Sequence, residues 1–239
     1  MLERAAPLGA IRTSFPTLEP LVPYLPIPSL RQSFKAVDHI NRYAEESISR
    51  YQNLLASDPT RARFTLFTKI FQAKEDNNLP FREILSDATL FIVAGSDTTA
   101  NTLTYMVWSV CRHPEVKRKL MRELSTLPED YTYADVQKLP YLGNIIEETL
   151  RLHPVVPTIL PRIVPPSSAS LGGHWFPGGS TVGCQSYSMH RDPTVFPNPE
   201  SFIPERWDAP TRDMKDTFMG FGRGSRGKLI QSWSGENIS

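Results

Sequence analysis

Apolar residues recur at roughly helical spacing at Phe34, Val37, Ile40, Tyr43, Ile48 and Tyr51, which predicts a helix ending near Ala56 with Ser29 or Ser33 as its cap. From Pro80, well placed in a first helical turn, a second pattern runs unbroken to Cys111 before His113-Pro114 stops it. That is one helix of about 32 residues, on the order of 48 Å long. Its middle, Ala88 to Ala94, is apolar on nearly every face and is expected to be buried on all sides, as the central strut of the fold. Pro114-Glu115 opens a helix to about Thr126 with a charged solvent face. Thr132 caps a short helix reaching Leu139, and Pro140 starts another through Leu152, ended by His153-Pro154. After Pro161 the pattern becomes short strands and turns. Strands are expected at Arg162-Ile163-Val164, at Ala169 to Phe176 and at Thr181 to Ser188, with Pro177-Gly178-Gly179 as a turn. From His190 to Trp207, prolines at 193, 197, 199 and 204 predict an ordered meander without regular structure.

Composition changes this picture in one respect. Proline makes up 22 of 239 residues, well above a usual share of about 5%. The prolines cluster at Pro16 to Pro28 and at Pro154 to Pro210, leaving a proline-poor middle where long helices fit. Residues 15–30 are apolar but broken by proline every few positions. They read as an irregular segment packed on a core, in preference to a membrane-dipping loop. Lys plus Arg number 26 and Asp plus Glu 25, so no basic footprint for nucleic acid or polybasic membrane patch is present. Cys111 and Cys184 have no short spacing and read as free thiols. No run of 18 apolar residues occurs, and Met1-Leu2-Glu3-Arg4 lacks the core of a signal peptide, so no anchor of its own is expected.

Three places carry candidate chemistry. Within the long helix, Ala94-Gly95-Ser96-Asp97-Thr98-Thr99 is a polar interruption that costs helix stability. It is either a tolerated patch or a helix crossing, or a site where Thr98 bonds back to the carbonyl of Ala94 and Gly95 lets a ligand approach. Glu148 and Arg151 share one helix face. Such a pair is most often a surface salt bridge, and a buried one needs a third group, for which Arg206 is the candidate. Finally, Phe221-Gly222-Arg223-Gly224-Ser225-Arg226 combines glycines that permit close backbone approach to a flat ligand with a forked cation for an anionic group. The five histidines, His39, His113, His153, His174 and His190, lie outside this loop and read as surface, cap or strand residues.

Taken together, Ala94-Gly95-Ser96-Asp97-Thr98-Thr99, Glu148-Thr149-Leu150-Arg151, Pro204-Glu205-Arg206 and Phe221-Gly222-x-Gly224-x-Arg226 resemble, in order, the motifs of the cytochrome P450 family of haem-thiolate monooxygenases. The likeness covers nearly all of residues 15–226, including His190-Arg191-Asp192-Pro193, and is nearest in wording to fungal members of secondary metabolism. It implies a mainly α fold with a small β part: the long central helix near 80–112, the helix of the Glu-x-x-Arg motif near 140–152 and the proline-rich meander. It divides the chain into a proline-rich leading segment at 1–35, a helical part at 36–160, strands, meander and haem loop at 161–226, and a tail without family pattern at 227–239. It also implies that Asp97 and Thr98 manage oxygen binding and proton delivery, and that Glu148, Arg151 and Arg206 form a structural triad. Arg162 and Arg226 match cations that hold the haem propionates, with Phe221, Gly222 and Gly224 in the haem loop. Ile92, Ala94, Gly95, Val156 and Ile159 would line a pocket for a small lipophilic substrate. Electrons would come from an NADPH-cytochrome reductase, at the endoplasmic reticulum membrane for a full-length relative.

Two departures accompany the likeness. The family is roughly twice as long, so the expectation is a partial fold lacking the amino-terminal half and the helix after the cysteine loop. Where the family has its iron-ligating cysteine, this chain has Lys228. No metal ligand is therefore assigned, and the chain is expected to be inactive as it stands. One alternative is a haem-free remnant that binds a reductase or a relative. Another is an active longer enzyme: Gly227-Lys228-Leu229 can be encoded by a sequence containing a common intron start, which predicts an unspliced junction there.

Overall fold

A computed structural model describes residue 17 and residues 21–22, 24–57, 68 and 80–224. The chain divides into two compact units, Met1–Thr99 and Ala100–Ser239.

In the first unit, helix α1 spans Pro28–Ser57, and helix α2, Phe81–Arg112, begins. α1 starts before either serine expected to cap it. Ser33 is buried inside the helix, and its hydroxyl donates to the carbonyl of Ser29 at 3.1 Å. The buried stripe runs through Leu30, Ser33, Ala36, Ile40, Ala44 and Ile48. Tyr43, expected on that face, is exposed, because small residues at Ala36 and Ala44 set the side of closest approach. Ala44 and Ile48 pack on Ile84 and Ala88, with Leu85 and Ile92 against them. A second cluster gathers Val22 and Leu30, with Phe34 and Val37 beside them.

α2 has the expected extent and a different environment. Ile84 and Ala88 are buried, but Leu90 and Phe91 are exposed, so the described residues do not cover the strut on all sides. The apolar residues of its middle point in every direction, and the packing in this unit covers one of those directions.

The second unit carries the rest of α2, then α3 (Pro114–Leu124), α4 (Tyr133–Val136) and α5 (Pro140–Leu152). Thr132 precedes α4 as expected; its backbone N–H and its hydroxyl both donate to the Asp135 carboxylate, at 3.0 and 2.7 Å. These bonds lower the Asp135 pKa to about 2, the Thr132 hydroxyl contributing most. The first turn of α5 leaves N–H groups without helical partners. Glu123 of α3 supplies them, accepting from Tyr141 N at 2.7 Å and Leu142 N at 2.9 Å, which fixes α5 against α3. Val116, Ile145, Leu152 and Phe202 form the core between these helices and the meander.

The β part consists of two antiparallel pairs. Strand β1 (Ile159–Ile163) pairs with β4 (Thr181–Gln185), with Pro161 opposite Gly183. β2 (Ala169–Leu171) pairs with β3 (His174–Phe176), so the single strand expected over Ala169 to Phe176 is a hairpin. Gly172 and Gly173, at φ 57° and 79°, form its two-residue turn. The strand expected to reach Ser188 ends at Gln185, where a short helix, α6 (Ser186–Met189), follows. A 3-10 turn over Pro204–Trp207 appears where a bare meander was expected, and beyond it lies helix α7, Arg212–Thr217. Phe196, Trp207 and Met214 are buried together beneath the meander, with Val195 and Phe218 against them.

Candidate functional site

Helix α5 presents Glu148 and Arg151 one turn apart, and both are completely buried. The pair is bidentate: Arg151 Nε donates to Glu148 Oε2 and Nη2 to Oε1, each at 2.8 Å. Arg206 Nε, from the 3-10 turn, donates to the same Oε1 at 3.0 Å, so the three residues meet. The remaining capacity of each ion is also used. Arg151 Nη1 donates to the carbonyls of His190 and Pro199, both at 2.8 Å, and Nη2 donates to Ser201 O at 3.1 Å. Glu148 further accepts from Ile203 N and from Trp207 Nε1, both at 2.9 Å. Burial by itself would raise the Glu148 carboxyl, but the hydrogen bond and charge of Arg151, the Ile203 N–H and Arg206 together hold it below its ordinary range. A buried pair is stable only when satisfied in this way. The cluster ties the meander at Pro197, Asn198, Pro199, Ser201 and Ile203 to α5.

The glycine loop leaves this cluster through Phe218 and Met219. Phe218 packs edge-on to Trp207, with centroids 5.1 Å apart, and stacks on His190 at 5.4 Å. Met219 N donates to His190 Nε2 at 2.8 Å. The chain then turns tightly, Gly222 N donating to Met219 O at 3.0 Å. Gly222 and Gly224 have φ of 76° and 74°, a region that excludes most side chains, and a Cβ at either would meet nothing within 4 Å. The positive φ favours glycine at both positions, and the described residues leave the space beside them open. Arg223 pairs with Asp216 of α7 at 2.6 Å.

Two participants here were missed in the sequence. Trp207 lies next to Arg206, and indole N–H groups seek partners when buried, which is a weak local signal. His190 was expected at the surface, as a cap or in a strand. It is the C-cap residue of α6, but its ring is fully buried. Nothing in the spacing of a single histidine reports that.

The other candidates are placed individually. In the first unit, Thr98 Oγ1 donates to Ala94 O at 2.6 Å, the back-bond that the second of the two readings of this stretch calls for. Asp97, Ala94 and Gly95 are exposed there, and Ile92 is half-buried. In the second unit, Val156, Ile159, Arg162 and Phe221 are exposed, and Arg162 Nη1 donates to its neighbour Pro161 O at 2.8 Å. Arg226 and Lys228 lie outside the described residues. The two cysteines are free and exposed, Cys111 near the end of α2 and Cys184 in β4. Among the described residues no cluster of metal-ligating side chains occurs, and no helix is long and apolar enough to cross a membrane. Two surface hollows are both on or beside α1; one is lined by Arg42, Glu45, Glu46, Ser49, Arg50 and Asn53, and the other by residues between Pro26 and Lys35.

A family model described as Cytochrome P450 matches residues 8–227. Among curated proteins, cytochrome P450 monooxygenase tazI of Aspergillus terreus is 44% identical over 227 residues, covering 94% of this chain and 46% of its own length. Cytochrome P450 monooxygenase orf2 of Aspergillus niger is 40% identical over 225 residues, covering 94% and 46%. Cytochrome P450 monooxygenase azaI, also from Aspergillus niger, is 36% identical over 246 residues, covering 94% and 52%. The chain therefore spans about half the length of these relatives.

Proposed function

The chain belongs to the cytochrome P450 family, and from that premise we propose that its fold serves haem-dependent monooxygenation of a small lipophilic substrate of the secondary-metabolite kind, a reaction that this sequence, with Lys228 at the ligand position, does not itself carry out. The satisfied Glu148–Arg151–Arg206 cluster, joined to the stem of the glycine loop, supports the first half of this reading. The donor set carries the second. When bound, haem supplies the oxygen chemistry, and its thiolate ligand provides the electron push that favours O–O cleavage. Lysine would have to lose a proton, from a pKa of about 10.4, before it could donate at all, and it is not a thiolate. Neither Cys111 nor Cys184 belongs to the loop. The residues present do not fit a thiolate-ligated haem.

Within this proposal Arg162 and Arg226 are the cations for the cofactor's carboxylates, because guanidinium matches carboxylate geometry. Phe221, Gly222 and Gly224 form the approach surface of the loop. Asp97 and Thr98 are the proton-handling pair, and substrate contact is assigned to Ile92, Ala94 and Gly95 in the first unit and, separately, to Val156 and Ile159 in the second. A reductase partner and the endoplasmic reticulum membrane belong to the same proposal.

The test is to express residues 1–239 with haem supplied and to record the reduced spectrum with and without carbon monoxide. No uptake, or a spectrum of the histidine type, is the expected result. A thiolate-type Soret band would overturn the proposal, by showing that a cysteine reaches iron from elsewhere in the chain.

A further inference from the structure

The buried ring of His190 has both nitrogens occupied, on opposite sides. Met219 N donates to Nε2 at 2.8 Å, so Nε2 must be unprotonated. The other nitrogen, Nδ1, lies 3.0 Å from the backbone carbonyl of Arg151, which can only accept, so Nδ1 carries the proton. A single tautomer satisfies both bonds. The contact with Arg151 is also reciprocal, because Arg151 Nη1 donates to the carbonyl of His190 at 2.8 Å. Each residue's side chain thus binds the other's backbone, and the ring's far edge holds the glycine loop.

We infer that His190 is a positioning residue: locked as the Nδ1–H tautomer, it sets where the glycine loop leaves the Glu148–Arg151 cluster, by fixing the Met219 backbone. The charged neighbours agree with a neutral ring. Burial foremost, then the positive charges of Arg151 on α5 and Arg191 beside it, outweigh the bond to the Arg151 carbonyl and lower its pKa to about 4. An imidazolium could not accept from Met219. The inference does not rest on the proposed function, since none of these bonds involves a cofactor.

The test uses the full 239-residue chain, labelled with nitrogen-15, at pH 7. A long-range proton–nitrogen spectrum should show His190 protonated at Nδ1 and bare at Nε2, with a coupling across the hydrogen bond from the Met219 amide to Nε2. The opposite tautomer, an imidazolium or the lack of that coupling would overturn the inference without any variant having to fold. Two substitutions then separate positioning from space-filling. His190→Gln places an amide oxygen near the former Nε2 and can keep the Met219 bond, whereas the shorter His190→Asn reaches the Arg151 carbonyl alone. Loss of one hydrogen bond should speed Met219 amide exchange about tenfold in His190→Asn and less than about threefold in His190→Gln, with the α5 amides unchanged. Equal acceleration in both variants, or acceleration spread through α5, would show that the ring merely fills space.

Discussion

Arg151 spends all five of its N–H donors inside the protein, two on Glu148 and three on carbonyls of the following segment. Its planar fork is what allows this, and a lysine could neither reach as many acceptors nor match the carboxylate bidentately. Arg151→Lys should therefore destabilise the second unit by about 3 kcal/mol, within the usual range for breaking a buried pair. Urea unfolding followed through tryptophan fluorescence measures it, and a loss below about 1 kcal/mol would contradict the satisfied geometry. Protons act on the same neighbourhood. His190 titrates at about 4 in the folded chain and at about 6.5 when unfolded. Its contribution is complete above pH 6.5 and is lost as the pH falls towards 4, up to about 3 kcal/mol in all. His153, also lowered, chiefly by burial, adds to the loss in the same direction. Glu148 is lowered from 4.5, so its own contribution fades only below that pH. Between pH 6.5 and 4.5 the decline belongs to the histidines, and His190→Gln should flatten it in unfolding curves taken at half-unit steps.

Among the elements, α2 shows how far periodicity leads and where it stops. The run from Pro80 to Cys111 gave the length of the helix because proline and His113-Pro114 punctuate it. Exposure was another matter. In the second unit Leu103 is 50% and Val107 58% exposed, with Tyr105 and Trp108 also open. Side chains that touch little contribute little to the stability of this unit, yet they favour association. The double change Leu103→Glu, Val107→Glu should leave the unfolding midpoint within about 0.5 kcal/mol and reduce light scattering on concentration. A large drop in stability would mean that these residues are packed. The β hairpin makes a similar point at smaller scale: Gly172-Gly173 is a two-residue turn signal lying inside what alternation alone reads as one strand.

At the scale of the molecule, a match over residues 8–227 and identities of 36–44% establish the family, while the chain spans about half of each relative. The unit after Thr99 carries the Glu148 cluster, the meander and the stem of the glycine loop, tied by hydrogen bonds that need no cofactor. Within the described part of this scaffold the Glu148–Arg151 pair has its polar groups satisfied, while the buried His153 Nε2 and Arg191 Nη1 beside it have no hydrogen-bond partner. Carbon monoxide absorption spectra test the chemistry, and nitrogen-15 spectra test the scaffold. Either can fail without the other.

What the sequence determined by itself were the features written locally. Helix ends are set by Pro80, Pro114, Pro140 and His153-Pro154, the Thr132 cap by its neighbour Asp135, and the family by four short motifs in order. Each depends on residues a few positions apart, where backbone sterics and side-chain reach decide the outcome. The tertiary structure decided which charged groups became buried and what satisfied them. Arg206, Trp207 and the Ile203 N–H reach Glu148 from 55 to 59 residues away, and His190 meets Arg151 from 39 away. Such bonds follow from where the meander folds back, and no local pattern encodes that path. Burial then makes them obligatory, because an unpaired charge or N–H inside the protein costs more than the ordering needed to pair it.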